Sequence, residues 1–426
     1  MDYQYTEEFA KQLDQEDTLS SYRLRYKFPQ YNNRNVVYLT GNSLGLQSVD
    51  VLQSIEQELN DWEKFGVEGH FLAKNPWVSY HEFFSDSLAK LVGAKPNEVV
   101  AMGSLTANLH FLMASFYRPT KTRHKIICEA KAFPSDQYAL ESQVKWHNLN
   151  PEEVIIEVSP RKGSHIIEEE DIIHAIEESG DSLAMVMIGG VNYYSGQVFD
   201  MKKITESAHK VGAIVGFDLA HAIGNVKLNL HEWNVDFAAW CSYKYLNSSP
   251  GGVAGIYVHE KHCQNKDIHR LAGWWGHDKE NRFLMEKGFQ PMPTAESWQL
   301  SNAPVIAMAV HKAALKDFDE IGIDKLIQKR QKLSDYLMFI IEKINGGLQD
   351  GMWLEIITPK ESSRRGAQVS VIAHGMGKKL FDTLTENGIV VDWREPNVIR
   401  MATVPLYNSF EDIYRLGKAL EKALKK

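Results

Sequence analysis

Six short apolar runs, alternating with stretches of helical spacing, limit more than any other feature what this chain can fold into. They are EVVAM (98–102), HKIIC (124–128), EVIIEV (153–158), LAMVMIGG (183–190), AIVGFD (213–218) and FAAW (237–240). The intervening segments, such as ANLHFLMASF (107–116) and KKITESAHKVG (202–212), space their apolar residues as helices do. Buried strands alternating with helices predict a mainly parallel α/β sheet covered on both faces. After a Ser-Ser-Pro-Gly-Gly turn the chain resumes as an apolar strand running up to Val258.

Around this centre the texture differs. VLQSIEQELNDWEKF (51–65) places Val51, Ile55, Leu59 and Trp62 on one helical face. Helical patterns run from about Val305 to Ile344 and stop at Asn345-Gly346-Gly347. The strands AQVSVIA (367–373) and GIVVD (388–392) and a helix from Ser409 follow. The expected organisation is an N-terminal segment (1–50) packing with the small domain, a large domain (51–305) and a small α+β domain (306–426). A chain of 426 residues has ample length for such cores.

Composition excludes several classes. With 44% hydrophobic and 24% charged residues the chain is not a disordered one. A net charge of −8 gives no reason to expect a nucleic-acid partner. Cys128, Cys241 and Cys263 lie far apart, with neither metal-type spacing nor a disulfide ladder. Cys128 and Cys241 read as buried, and Cys263, in EKHCQNKD, as polar and exposed. The N-terminus has no signal-like apolar core, and no run approaches the ~18 apolar residues of a membrane span. A cytoplasmic protein is expected, with no membrane contact.

In a parallel sheet, ligands bind beyond the carboxyl ends of the strands. After 98–102 comes Gly103-Ser104-Leu105-Thr106, opening a helix whose free N–H groups suit a phosphate, although Ser104 or Thr106 serves equally as an N-cap. After 124–128 comes Glu129-Ala130-Lys131-Ala132-Phe133-Pro134-Ser135-Asp136, where Phe133 can stack on a ring and Asp136 can accept from one; a Pro turn with a helix cap is the plain alternative. Asp218 and His221 end the 213–218 run. An acid there keeps a pyridine nitrogen protonated, or simply contacts the histidine; no further close ligands suggest a metal. Lys244, between Tyr243 and Tyr245, is alone a snorkelling lysine. Together with an anion cradle, a stacking ring and a pyridine-directed acid, it completes what pyridoxal phosphate needs.

At these residues the sequence resembles the kynureninases, pyridoxal-phosphate hydrolases of fold type I. The likeness spans YLTGNSLGLQ (38–47), GVEGHF (66–71), LTANLHFLMASFYRPT (105–120), EAKAFPSDQYALESQ (129–143), VNYYSGQ (191–197), the block from Gly216 to His262, LAGWWGH (271–277), WQLSNAP (298–304) and RMATVPLYNSF (400–410). It implies a seven-stranded, mainly parallel large-domain sheet. It also implies hydrolysis of L-kynurenine or its 3-hydroxy form to anthranilate or 3-hydroxyanthranilate and L-alanine, in tryptophan degradation and NAD biosynthesis.

By the same resemblance Lys244 holds the cofactor and shuttles protons, Asp218 faces the pyridine nitrogen, and Phe133 covers the ring, with Pro134, Ser135, Asp136 and His221 beside it. Leu105, Thr106 and Tyr243 serve the phosphate, and Tyr243 is one candidate for acid–base help at C–C cleavage. Trp274 and Asn302 match residues supplied across a homodimer with shared active sites, and Asn302 also faces the substrate. Arg400 is expected on the substrate carboxylate, with Asn42 and Ser43 close by, while His70 and Ser301 match positions near its aromatic end and His221 lines the substrate pocket too. Two departures stand out: Gly189 replaces a serine found in some members, and the turn after Asn247 reads Ser-Ser-Pro-Gly-Gly. The rivals are another fold-type-I enzyme, such as a cysteine desulfurase or class V aminotransferase, and an inactive binding protein on this fold.

Overall fold

A computed structural model describes residues 2–348 and 351–425. Seven strands form the large sheet: β1 (Val99–Ala101), β2 (Lys125–Glu129), β3 (Ile155–Val158), β4 (Leu183–Gly189), β5 (Ile214–Asp218), β6 (Phe237–Trp240) and β7 (Gly255–Val258). Their order is β1-β7-β6-β5-β4-β2-β3. All the pairings from β3 to β6 are parallel, and β7 alone runs antiparallel to both its neighbours. The connection from Trp240 to Gly255 carries no helix, and β7 returns antiparallel to β6.

Alternation along each strand feeds two cores. Val186, Ile188, Val215 and Phe217 face one side, whereas Met185, Met187, Phe237 and Ala239 face the other. Among the helices are α1 (Glu7–Glu16), α2 (Val51–Phe65), α3 (Leu105–Phe116), α4 (Pro134–Trp146), α5 (Met201–Lys210), α6 (Val305–Ile321), α7 (Ile323–Asn345) and α8 (Phe410–Leu424). Helices α5 and α6 cover the first face, and α3 and α4 cover the second.

Another core lies between α7, α8 and an antiparallel sheet of β8 (Trp353–Ile356), β9 (Gln368–His374), β10 (Asp392–Arg394) and β11 (Val398–Ala402), ordered β8-β9-β11-β10. Ala10 and Leu13 of α1, with Val37 and Leu39, enter this core. Helix α6 instead packs on the large-sheet core through Met308, Leu315 and Phe318.

The helical patterns of 305–344 are two helices, parted at Gly322, whose φ of +81° no other residue adopts cheaply. Three local expectations are corrected. The 153–158 run opens with a helical turn, Pro151–Val154, and the strand begins at Ile155. GIVVD divides: Ile389–Val390 pairs with Val37–Tyr38, and Asp392 starts β10. Helix α2 has the expected bounds but turns Leu59 and Trp62 outward, burying Glu58 and Asp61 instead. Glu58 is satisfied there, accepting from Asn75, Trp77 and Tyr80.

Candidate functional site

A cavity of about 160 Å³ opens at the carboxyl ends of the parallel strands. Its walls follow a simple rule: Leu105, Phe133, Tyr193 and Lys244 each stand four residues beyond the last residue of β1, β2, β4 and β6. Asp218 and Gly189, the end residues of β5 and β4, are paired in register, and both line it. Ser104, Thr106, Ser135, Asp136, His221 and Tyr243 complete most of the wall. Of the expected cofactor residues, Pro134 alone on this side stands off the wall, as the first residue of α4.

Lys244 Nζ lies 3.1 Å from His221 Nε2 and 5.8 Å from the centroid of the Phe133 ring. The loop that carries it is held from behind. Gly45 N–H donates to the Tyr243 carbonyl at 2.8 Å, and a Cβ on Gly45 would come within 2.5 Å of the Lys244 carbonyl. The TGNSLGL segment is therefore a close backbone support for the lysine loop, which only glycine permits.

The electrostatics are those of a site built for a cation. Burial, then the facing Asp218, pushes Asp136 well above the usual carboxylate range. Burial also raises Asp218, against the pull of Lys244. Burial brings Glu129 to about 7. Burial first, then Lys244 and the Arg400 and Arg394 guanidiniums, drives His221 well below its ordinary value, so the ring is neutral. Burial raises the Tyr243 phenol.

The residues fit pyridoxal phosphate. Two helix starts converge, with Thr106 Oγ1 and Ser135 Oγ 3.2 Å apart. Ser104 occupies the N-cap of α3, but among the described residues its side chain makes no capping bond, which leaves the hydroxyl for an anion. Among the described residues Asp136 Oδ1 and His221 Nδ1 are buried without partners, as polar atoms awaiting a polar ring would be. Asp218 is fixed by accepting the Ala220 N–H at 2.7 Å. Phe133, which Tyr193 meets edge-on at 5.3 Å, lines the same cavity.

Arg400 is buried on β11, donating to the Tyr193 carbonyl at 2.7 Å and to Asp392 at 2.7 Å. Its Nε has no partner among the described residues. Asn42 donates to Gln368 Oε1 at 2.9 Å, and Gln368 donates in turn to the Tyr193 carbonyl. Half-buried Ser43 follows it. Tyr193 thus joins the cavity to the residues expected around a carboxylate. The sequence reading assigned no role to Tyr193 or Glu129, although the strand-end rule that located Asp218 points to both.

Other expected residues lie elsewhere on the chain. Trp274, 48% exposed, lines a separate surface hollow with His277, Met285 and Phe289. Ser301 and Asn302 are exposed, and His70 packs edge-on against Trp77, away from the cavity wall. Cys263 is corrected: the short helix Glu260–Cys263 turns it inward, where its thiol donates to the Val258 carbonyl.

Fold and site together define a fold-type-I pyridoxal-phosphate enzyme. The chain aligns over 424 residues with a kynureninase of Flavobacterium psychrophilum at 55% identity, covering 100% of this chain and 99% of that one. A kynureninase of Nematostella vectensis is 44% identical, over 98% and 94% of the two chains. The chain belongs to the kynureninase family. The family description "Kynureninase C-terminal domain" matches residues 326–420, and that of the DegT/DnrJ/EryC1/StrS aminotransferases matches 72–233. Among solved structures, the cysteine desulfurase CsdA of Escherichia coli superposes with a TM-score of 0.76 at 16% identity, over 96% of this chain and 99% of that one. A mutant of C-DES with glycine covalently linked to its PLP cofactor gives 0.75 at 15% identity, over 91% and 96%. At such identity the likeness is one of fold. The desulfurase alternative also lacks its nucleophile, because all three cysteines are buried.

Proposed function

We propose that this cavity hydrolyses L-kynurenine, or its 3-hydroxy form, to anthranilate or 3-hydroxyanthranilate and L-alanine. The observation that carries this is the convergence of Lys244, His221, Asp218 and Asp136 in one cavity of a kynureninase-family chain. Pyridoxal phosphate, when bound, supplies the electron sink that lets the bond between Cβ and Cγ break. Lys244 is the amine that holds it and the base that moves the substrate's α-proton. Asp218 keeps a proton on the ring nitrogen, its carboxylate favouring the charged form. The hydroxyls of Ser104, Thr106 and Ser135, at two helix starts, bind the phosphate, and Phe133 covers the ring. Arg400, with Asn42 and Ser43 near it, orients the substrate carboxylate. Tyr243, or a water it holds, gives and takes the proton when water adds to the γ-carbonyl.

In this proposal Arg400, from the 306–426 unit, serves a cavity walled by residues between Ser104 and Lys244, with 1–50 as backing. The working unit in this proposal is a homodimer, with Trp274, Ser301, Asn302 and His70 reaching a partner's cavity. Supporting it are the exposure of Trp274, Ser301 and Asn302 and the outward apolar residues Leu59, Trp62, Val67, Phe71 and Leu72. The compartment proposed is the cytoplasm, in keeping with three unpaired cysteines; among the described residues no helix is long and apolar enough to cross a membrane. The test is Lys244→Ala, which should lose both the visible absorbance of the bound cofactor and turnover of L-kynurenine. A yellow, active variant would refute the assignment.

A further inference from the structure

Glu129 is a charged residue of the cavity wall that the proposed chemistry leaves without a task. It ends β2 and is 4% exposed. Its two oxygens accept the Gly189 N–H, at 3.2 and 3.3 Å. No side chain separates it from the end of β4: a Cβ on Gly189 would come to 3.0 Å from Oε1. The carboxyl therefore occupies the region towards which a serine at 189 would project. Around it stand Asp218 on β5, Asp136 on α4, Glu157 on β3, and Lys244 and Tyr193 on their loops. Among these, Lys244 is the only cation, set against the carboxyls of Glu129, Asp136 and Asp218 that line the cavity.

We infer that Glu129 is a positioning residue for the cofactor: it is the third buried carboxyl that, through Asp136 and Asp218, holds the cationic ring and the protonated lysine linkage in place. A purely structural role would need only the hydrogen bond to Gly189. The charge is what matters here, because like charges crowded in a dry cavity bind protons until a cation arrives. The raised Asp136 and Glu129 carboxyls are consistent with that arrangement.

This inference rests on the cofactor reading, and its test separates the two. The readouts are the pH midpoint of the visible absorbance of the full-length holoenzyme without substrate, and the dissociation constant for added pyridoxal phosphate. Glu129→Gln keeps an acceptor for Gly189 but removes the charge. It should lower the midpoint by about half a unit or more and weaken cofactor binding about fivefold or more. Glu129→Ser, also neutral, should shift it the same way, so a folded protein from either variant suffices, and Glu129→Asp should return towards the parent. Unchanged midpoint and affinity in a folded neutral variant would overturn the inference and leave the cofactor reading intact. A parent protein that fails to bind pyridoxal phosphate would overturn both.

Discussion

The Nζ atom of Lys244 stands 3.1 Å from Nε2 of His221, a ring kept neutral mainly by burial. The amine donates and the imidazole accepts, so the histidine aims the lysine without adding a charge. Replacing it should leave the lysine present but loosely held. For His221→Phe we expect the cofactor's visible absorbance to persist while kcat falls about ten- to a hundredfold, the usual cost of a slightly misplaced catalytic group. Steady-state kinetics on L-kynurenine check this; an unchanged kcat would contradict it.

Arg400 is held by Asp392 and the Tyr193 carbonyl, so it is both a substrate clamp and a buried ion-pair partner. Arg400→Lys keeps the charge but loses the planar fork, and should raise KM for L-kynurenine about tenfold with a smaller change in kcat. Arg400→Ala should also cost stability, about 3 kcal/mol, near the low end for a broken buried pair because Arg394 still reaches Asp392. Denaturant melts measure the second effect, and an unchanged KM in either variant would place the carboxylate elsewhere.

At the opposite end of the sheet Asp236 accepts from Val215 N–H, His209, His262 and Lys261 at 2.7 to 2.9 Å. Although burial opposes ionisation, the His209 and His262 bonds hold its carboxyl far below the usual range. A depressed carboxylate stabilises the fold above its unfolded value of about 3.9, and that contribution is lost as pH falls towards the folded value. Asp236→Asn should therefore lower stability at neutral pH by about 2 kcal/mol or more and flatten the acid limb below about pH 4. Thermal melts from pH 7 to 2.5 test the sign.

Cys128, Cys241 and Cys263 are all buried, and burial raises each thiol above its ordinary value. A disulfide-exchange reagent should find no fast-reacting thiol in the native protein and three in denaturant. A fast native thiol, with sulfide release from cysteine, would revive the desulfurase alternative.

Much of the sheet was legible because its strands are buried on both faces and so read as unbroken apolar runs. The cavity was legible where chemistry is unusual for its place: Lys244 between tyrosines, Asp218 ending a strand, Phe133 before a proline. Glu129 and Tyr193 escaped because a glutamate or tyrosine after a strand resembles ordinary surface chemistry until the cavity closes around it. Cys263 misled through its polar neighbours, since one turn of helix decided which way it faced. The outward turn of Leu59 and Trp62 was hidden for a related reason. Periodicity identifies an apolar face, but not whether this chain or another surface covers it.

The most direct test of the account is product analysis of the purified protein loaded with pyridoxal phosphate and given L-kynurenine. Anthranilate and L-alanine are expected in equal amounts, and neither from Lys244→Ala. Loaded, folded protein that forms no anthranilate, or forms it equally well without the Lys244 amine, would contradict it.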